Sequence, residues 1–139
     1  MVLRILSIAG LVLGIVAGSA QAQTVSKIAV NSSIADGDGI AQRIVNAFQS
    51  DVTASAQYTM VSDERDANYI VEFASIVDDS DNNNVQQTSA YSVVLLDSKF
   101  QYVSSLVGVC GDQKTSSCAE HLFESVAGDI AKDLSPSNH

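Results

Sequence analysis

The sequence predicts an α+β domain. It is a two-layer sandwich in which a mixed sheet of about five strands carries two helices on one face. Three observations predict this. Five short runs concentrate β-branched and aromatic residues. Two longer runs repeat apolar residues at three- and four-residue steps. Polar links join these runs in the order β-α-β-β-β-β-α, which suits helices gathered on one side of a sheet.

Residues 25–31 (VSKIAVN) read as the first strand, with Ile28 and Val30 on one face. The loop at residues 32–39 (SSIADGDG) is rich in turn formers, and Asp36 or Asp38 can cap the next helix by accepting from its free first-turn amides. That helix spans residues 39–53. Ile40, Ile44, Phe48 and Val52 form its apolar stripe, widened by Ala41, Val45 and Ala47. A short strand follows at 58–61, and with the first strand and the helix it forms a right-handed crossover. After a polar link at 62–68, residues 69–77 (YIVEFASIV) form a strong strand. Tyr69, Val71 and Phe73 face one side; Ile70, Ala74 and Ile76 face the other, interrupted only by Glu72. This pattern predicts a central strand buried on much of both faces. Residues 86–96 and 100–110 form a hairpin turned by Asp97-Ser98-Lys99. The last helix spans 118–134, opened by the capping-box pattern Ser117-Cys118-Ala119-Glu120 and stopped by Pro136.

The first segment reads as an address. Arg4 supplies a positive start, an apolar and small-residue run extends from Ile5 to Gly18, and Ala20-Gln21-Ala22 gives a small-x-small cleavage signature. Residues 1–22 are thus expected to be a cleavable signal peptide and residues 23–139 a single α+β domain. The run is shorter than the ~20 residues of a membrane span, so the expected location is periplasmic or secreted, without stable membrane insertion after cleavage. In an oxidising compartment the lone cysteine pair, Cys110 and Cys118, is expected to form a structural disulfide. It closes a short loop and contributes about 2–3 kcal/mol by the chain-entropy argument.

Composition excludes whole classes. The chain has 46% hydrophobic residues and a single proline, unlike a disordered tail. Its formal charge is −9, from 7 Lys+Arg against 16 Asp+Glu, and no basic stripe is present to neutralise phosphates. Nucleic-acid binding is therefore not expected.

Several segments together resemble a known type. The KIAV strand, the helix holding IAQRIVNAF, the passage QYTMVSDERDANYIVEFASI and the hairpin AYSVVLLDSKFQYVSS resemble the small periplasmic α/β domain of the TolB amino-terminal type. That type also occurs in curli-secretion proteins and in outer-membrane activators of penicillin-binding proteins. The resemblance spans residues 25–134 and lies in hydrophobic pattern and turn placement. It implies protein–protein contact in the envelope without catalysis. The chain departs from the type in lacking a following β-propeller and a lipid anchor, and in carrying the cysteine pair.

Candidate chemistry is sparse. A nucleophilic triad needs a histidine held by an acid, and the chain offers only His121 and the terminal His139. His121 reads as a half-exposed surface residue on the last helix. Glu72, on a mostly apolar strand, is the one carboxylate with a case for acid–base work, against the plainer reading that it pairs with Arg65 or Lys99. Residues 79–83 (DSDNN) alternate oxygen donors as a calcium loop begins, but Asn84 stands where the glycine belongs and no glutamate closes the loop. The expectation is a solvated hairpin loop, with no cofactor and no metal site. A polar strand face made of Gln86, Thr88, Ser92, Ser104 and Ser105 is the candidate for partner docking, by sheet edge or sheet face. The functional expectation is a non-enzymatic periplasmic accessory protein binding another envelope protein. The alternative is an acidic immunity protein that blocks a secreted toxin by charge steering.

Overall fold

The computed structural model describes residues 24–78 and 88–135. The expected signal peptide, Gln86, the acidic run at 79–83 and His139 lie outside the described residues. Five strands and two helices follow one another in the expected order: β1 (Ser26–Ser33), α1 (Gly39–Ala54), β2 (Tyr58–Met60), β3 (Tyr69–Asp78), β4 (Thr88–Asp97), β5 (Tyr102–Gly111) and α2 (Thr115–Asp133). They form one sheet in the spatial order β2-β1-β3-β4-β5. β1 pairs parallel with β2 and β3, whereas β4 runs antiparallel to both β3 and β5. β3 is central, as its apolar run predicts. Among the described residues no helix is long and apolar enough to cross a membrane.

Both helices lie on one face. Ile40, Ile44, Phe48 and Val52 of α1 and Leu122, Val126 and Ile130 of α2 share one buried cluster with Ile28, Val71, Phe73, Val93 and Leu95 from the strands. Burying a side chain of this size contributes ~1.5–3 kcal/mol, so this layer carries the fold. Phe123 joins α2 to α1 and β2, its ring 6.4 Å from Phe48 and edge-on to Tyr58 at 6.0 Å. At the foot of α2 the Tyr69 hydroxyl donates to Asp133 Oδ2 at 2.8 Å, tying the helix end to β3. Burial and this carboxylate raise the Tyr69 phenol well above its ordinary value.

Cys110 and Cys118 form a disulfide with Cα atoms 6.3 Å apart, joining the end of β5 to the first turn of α2. The capping-box reading of Ser117 is corrected. α2 begins at Thr115, with Lys114 at the cap position and no side-chain cap. A 3-10 turn at Asp112–Lys114 leads straight into the helix, and that places Ser117 and Cys118 inside the first turn.

The hairpin turn is also one residue wider than expected. Asp97 does the turning, its Oδ1 accepting from the amides of Lys99 and Gln101, both at 2.8 Å. Phe100, expected in the strand, sits in the turn with φ +60°, and the sheet register slips there between Leu95 and Leu96.

Gly108 has a specific packing role. Tyr91 stacks on Phe73 with ring centroids 5.4 Å apart and extends its ring across β5. A Cβ at position 108 would come within 2.6 Å of the Tyr91 ring and hydroxyl. Gly108→Ala is therefore expected to cost about 1–3 kcal/mol in urea unfolding. In a Tyr91→Ala background the same change should cost much less, and equal costs in both backgrounds would refute the contact as the cause.

Candidate functional site

Two helices cover one face of the sheet and leave the other to different devices along its length. At one end the link between β2 and β3 folds over it. The Val61 amide donates to the Ile28 carbonyl at 2.9 Å and the Asn68 amide to the Lys27 carbonyl at 2.9 Å. Ala67 in this link closes a small second cluster with Ala29 and Ile70, flanked by Val61 and Leu96. In the middle, the Asn31 side-chain amide donates to Glu64 at 2.6 Å and Glu72 at 2.7 Å. At the other end none of the described elements covers the sheet.

That uncovered end is apolar. Ala74 and Ile76 of β3, Ala90 and Ser92 of β4, and Val107 and Val109 of β5 line a shallow groove of about 600 Å³. Ile76 is 68% exposed, Val107 83% and Val109 70%. Ordinary monomers seldom leave adjacent large aliphatic side chains this open. The expectation that β3 is buried on both faces is thus corrected. It holds at Ile70, under the link, and fails at Ala74 and Ile76, beyond the link's reach.

The proposed polar face divides. Sheet register puts Thr88, Ser92 and Ser105 on the open side, since Ser105 pairs with Val94 and Ser92 with Val107. Ser104 pairs with buried Leu95 and points to the helix side. There it bonds the Asp129 carboxyl, which Lys132 and then Ser104 hold below the usual carboxylate range. The bulge beside Val103 and the period of two together separate Ser104 from Ser105. The apolar floor went unread because Ala74 and Ile76 fit a doubly buried strand equally well. The alternation Ser105, Val107, Val109 against Ser104, Leu106, Gly108, Cys110 was the available signal, since both sets are largely apolar and only one can face the helices.

The candidate chemical groups take structural places. Glu72 bonds Asn31, in place of the expected Arg65 or Lys99; Arg65 pairs with Asp63 at 2.6 Å. His121 is exposed, and Ser125 bonds its backbone carbonyl at 2.8 Å, leaving the imidazole out of the contact. Among the described residues no group of three or more His, Cys, Asp or Glu side chains converges.

Asp38 is the most constrained carboxylate in the described residues. It caps α1 by accepting from the Ala41 amide at 2.9 Å and accepts from the Ser89 hydroxyl of β4 at 2.6 Å. Burial opposes its charge, yet these bonds and weaker ones from Ser75 and the Ile40 amide outweigh burial and lower its pKa. Ser89 and Ser75 are buried polar residues that strand patterning did not single out. Their hydroxyls fasten the start of α1 to the sheet.

No family model matches the sequence, and no curated protein matches it. Solved structures do share the fold. Two structures of a PelC dodecamer from Paraburkholderia phytofirmans superpose with TM-scores of 0.54 and 0.51, at 14% and 17% identity. They cover 78% and 76% of this chain and 90% and 88% of theirs. Lipoprotein GNA1162 from Neisseria meningitidis matches at 12% identity with a TM-score of 0.45, over 78% of this chain and 99% of that one. The PelC likeness is one of fold: a small bacterial α+β domain. The finer likeness to the TolB amino-terminal type remains a pattern of the sequence.

Asp38 generates a pH prediction. Its lowered folded pKa means its stabilisation is complete above the ordinary carboxylate value of about 3.9 and is lost as pH falls through the folded value. Asp38→Ala is expected to cost about 1 kcal/mol near pH 7 by loss of the cap. Urea unfolding at pH 7 and pH 3 should show the gap between wild type and variant narrowing in acid; a constant gap would contradict the assignment.

Proposed function

We propose that this chain is an exported, non-enzymatic accessory protein of the bacterial envelope, and that it binds another envelope protein through the open face of its sheet. The observation that carries this reading is the uncovered apolar groove around Ile76, Val107 and Val109. Thr88, Ser92 and Ser105 lie on the same open face and supply polar groups that can orient a partner; Gln86 belongs to the same set by sequence, and Ser104 serves the helix side instead. The signal-like residues 1–22 and the disulfide Cys110–Cys118 support export to an oxidising compartment. The TolB-type resemblance supports protein contact in the envelope. The PelC of similar fold is a dodecamer, which accords with a fold that serves in assemblies.

A second reading has its own observation. The groove between α1 and α2 is lined by Asp51, Glu120 and Glu124, on a chain of formal charge −9. An acidic immunity protein would steer onto a basic toxin through such a surface.

One experiment separates the two. The full-length gene is expressed in a Gram-negative host, the exported protein is used as bait on native envelope extract, and bound proteins are quantified at low and moderate salt. The first reading expects an envelope protein retained at moderate salt and reduced at least tenfold by Ile76→Ser, while Glu120→Gln with Glu124→Gln has no effect. The second expects a basic effector lost as salt rises, with the two substitutions exchanging effects. Retention unaffected by Ile76→Ser would refute the sheet-face site.

A further inference from the structure

The sheet has two edges of very different character. β2 ends it with three residues, too short to template another strand. β5 ends it with ten, Tyr102–Gly111, an extended edge of ~34 Å. Natural sheets protect long edges with lysine, inward charges, proline, bulges or a covering element. β5 contains no charged residue and no proline. Its bulge lies at one end, and from Ser104 to Gly111 its pairing with β4 is regular. Its central valine, Val107, is the most exposed large apolar side chain among the described residues.

We propose that β5 is the seam of a two-fold dimer. The β5 edges of two copies pair antiparallel about Val107 and join two five-stranded sheets into one of ten. Charge selects the occupant. The chain is acidic, with 16 carboxylate residues against 7 cationic ones, so two copies repel except where they meet on neutral surface. β5 supplies that surface, carrying no charged side chain from Tyr102 to Gly111. A partner of opposite charge would be recognised by carboxylates, and this surface has none. A two-fold pairing also needs no second evolved surface, because the same strand serves both sides.

The side chains fit that register. Centring on Val107 pairs the strand almost from end to end. On the open side Val107 faces the Val107 of the other copy, and Val109 lies opposite Ser105. On the helix side Leu106 lies opposite Gly108, where the Tyr91 ring already takes the place of a side chain, so Leu106 meets that ring. The joined faces bring two apolar grooves side by side. The inference thus extends the partner-binding reading, but dimerisation and partner capture are separate measurements.

The test is sedimentation equilibrium of the protein expressed from its full gene and recovered after export. A dimer at micromolar concentration, dissociating on dilution, is expected. Val107→Lys should raise the dimer Kd at least tenfold while circular dichroism stays unchanged. The unfolding midpoint should also stay unchanged at concentrations where both proteins are monomeric, because the side chain is exposed in the monomer. Ile76→Ser should leave the dimer intact while reducing partner capture. Should Val107→Lys fail to fold, oxidative cross-linking decides the point. Val107→Cys should cross-link to itself, since directly opposed Cβ atoms lie about 4.5–5.5 Å apart. Val109→Cys alone should not, whereas Val109→Cys mixed with Ser105→Cys should. A monomer at about 100 μM, a dimer untouched by Val107→Lys, or self-cross-linking only of Val109→Cys would each overturn the proposal. A monomer that still captures an envelope partner would overturn the dimer and leave the partner reading standing.

Discussion

Two helices cannot dry both faces of a five-stranded sheet, and the rest of this molecule follows from that constraint. α1 and α2 are amphipathic on a single stripe each, and both stripes are spent on the same face, around Phe48, Leu122 and Ile130. The opposite face must then be solvated, covered by something else, or left for another molecule. This chain does all three in sequence along β3. Ile70 is covered by the link carrying Ala67, Glu72 is kept polar and bonded to Asn31, and Ile76 is left bare. Among the described residues, the bare end leaves Ile76, Val107 and Val109 together as apolar surface whose burial remains to be gained.

The helix layer is held by polar fastenings at three corners, and these account for charged or polar residues that would otherwise invite a catalytic reading. Asp38 and Ser89 fix the start of α1 to β4. Tyr69 and Asp133 fix the end of α2 to β3. The disulfide fixes the start of α2 to the end of β5, and Arg43 of α1 pairs with Asp112 beside it. A buried carboxylate that accepts hydrogen bonds from an amide and a hydroxyl is stabilised as an anion, which makes it a poor proton acceptor. Asp38 therefore owes its burial to structure. The same fastenings tie both helices to one face of the sheet, while Ile76, Val107 and Val109 on its other face stay exposed.

Most of the architecture was legible in the sequence because each element carried its own period. Ile40, Ile44, Phe48 and Val52 can only be a helix stripe, and the run from Tyr69 to Val77 can only be a central strand. The start of α2 was misread because Ser117 and Glu120 satisfy a capping pattern locally, while the 3-10 turn from Asp112 to Lys114 feeds the helix three residues earlier. Phe100 was misplaced because no local preference predicts a bulky residue at positive φ; the Asp97 side chain imposes it by drawing in two amides. The candidate surface was half legible. Thr88, Ser92 and Ser105 do share one face of the sheet, but the apolar floor beside them was not legible, because periodicity reports that Ile76 and Val107 are apolar and says nothing about what covers them.

Acidity and exposed valines read differently together than apart. An acidic surface keeps copies of a chain apart in solution and protects an unguarded strand edge from indiscriminate pairing. A neutral strip set in that surface then becomes selective. Repulsion penalises every approach except the one that aligns strip with strip, so specificity arises from what is disfavoured elsewhere as much as from the contacts made. In the proposed dimer, the charge-free composition of β5, an aggregation hazard on a neutral protein, becomes a means of choosing orientation. In that proposed dimer the charge balance and the bare face act together to direct association.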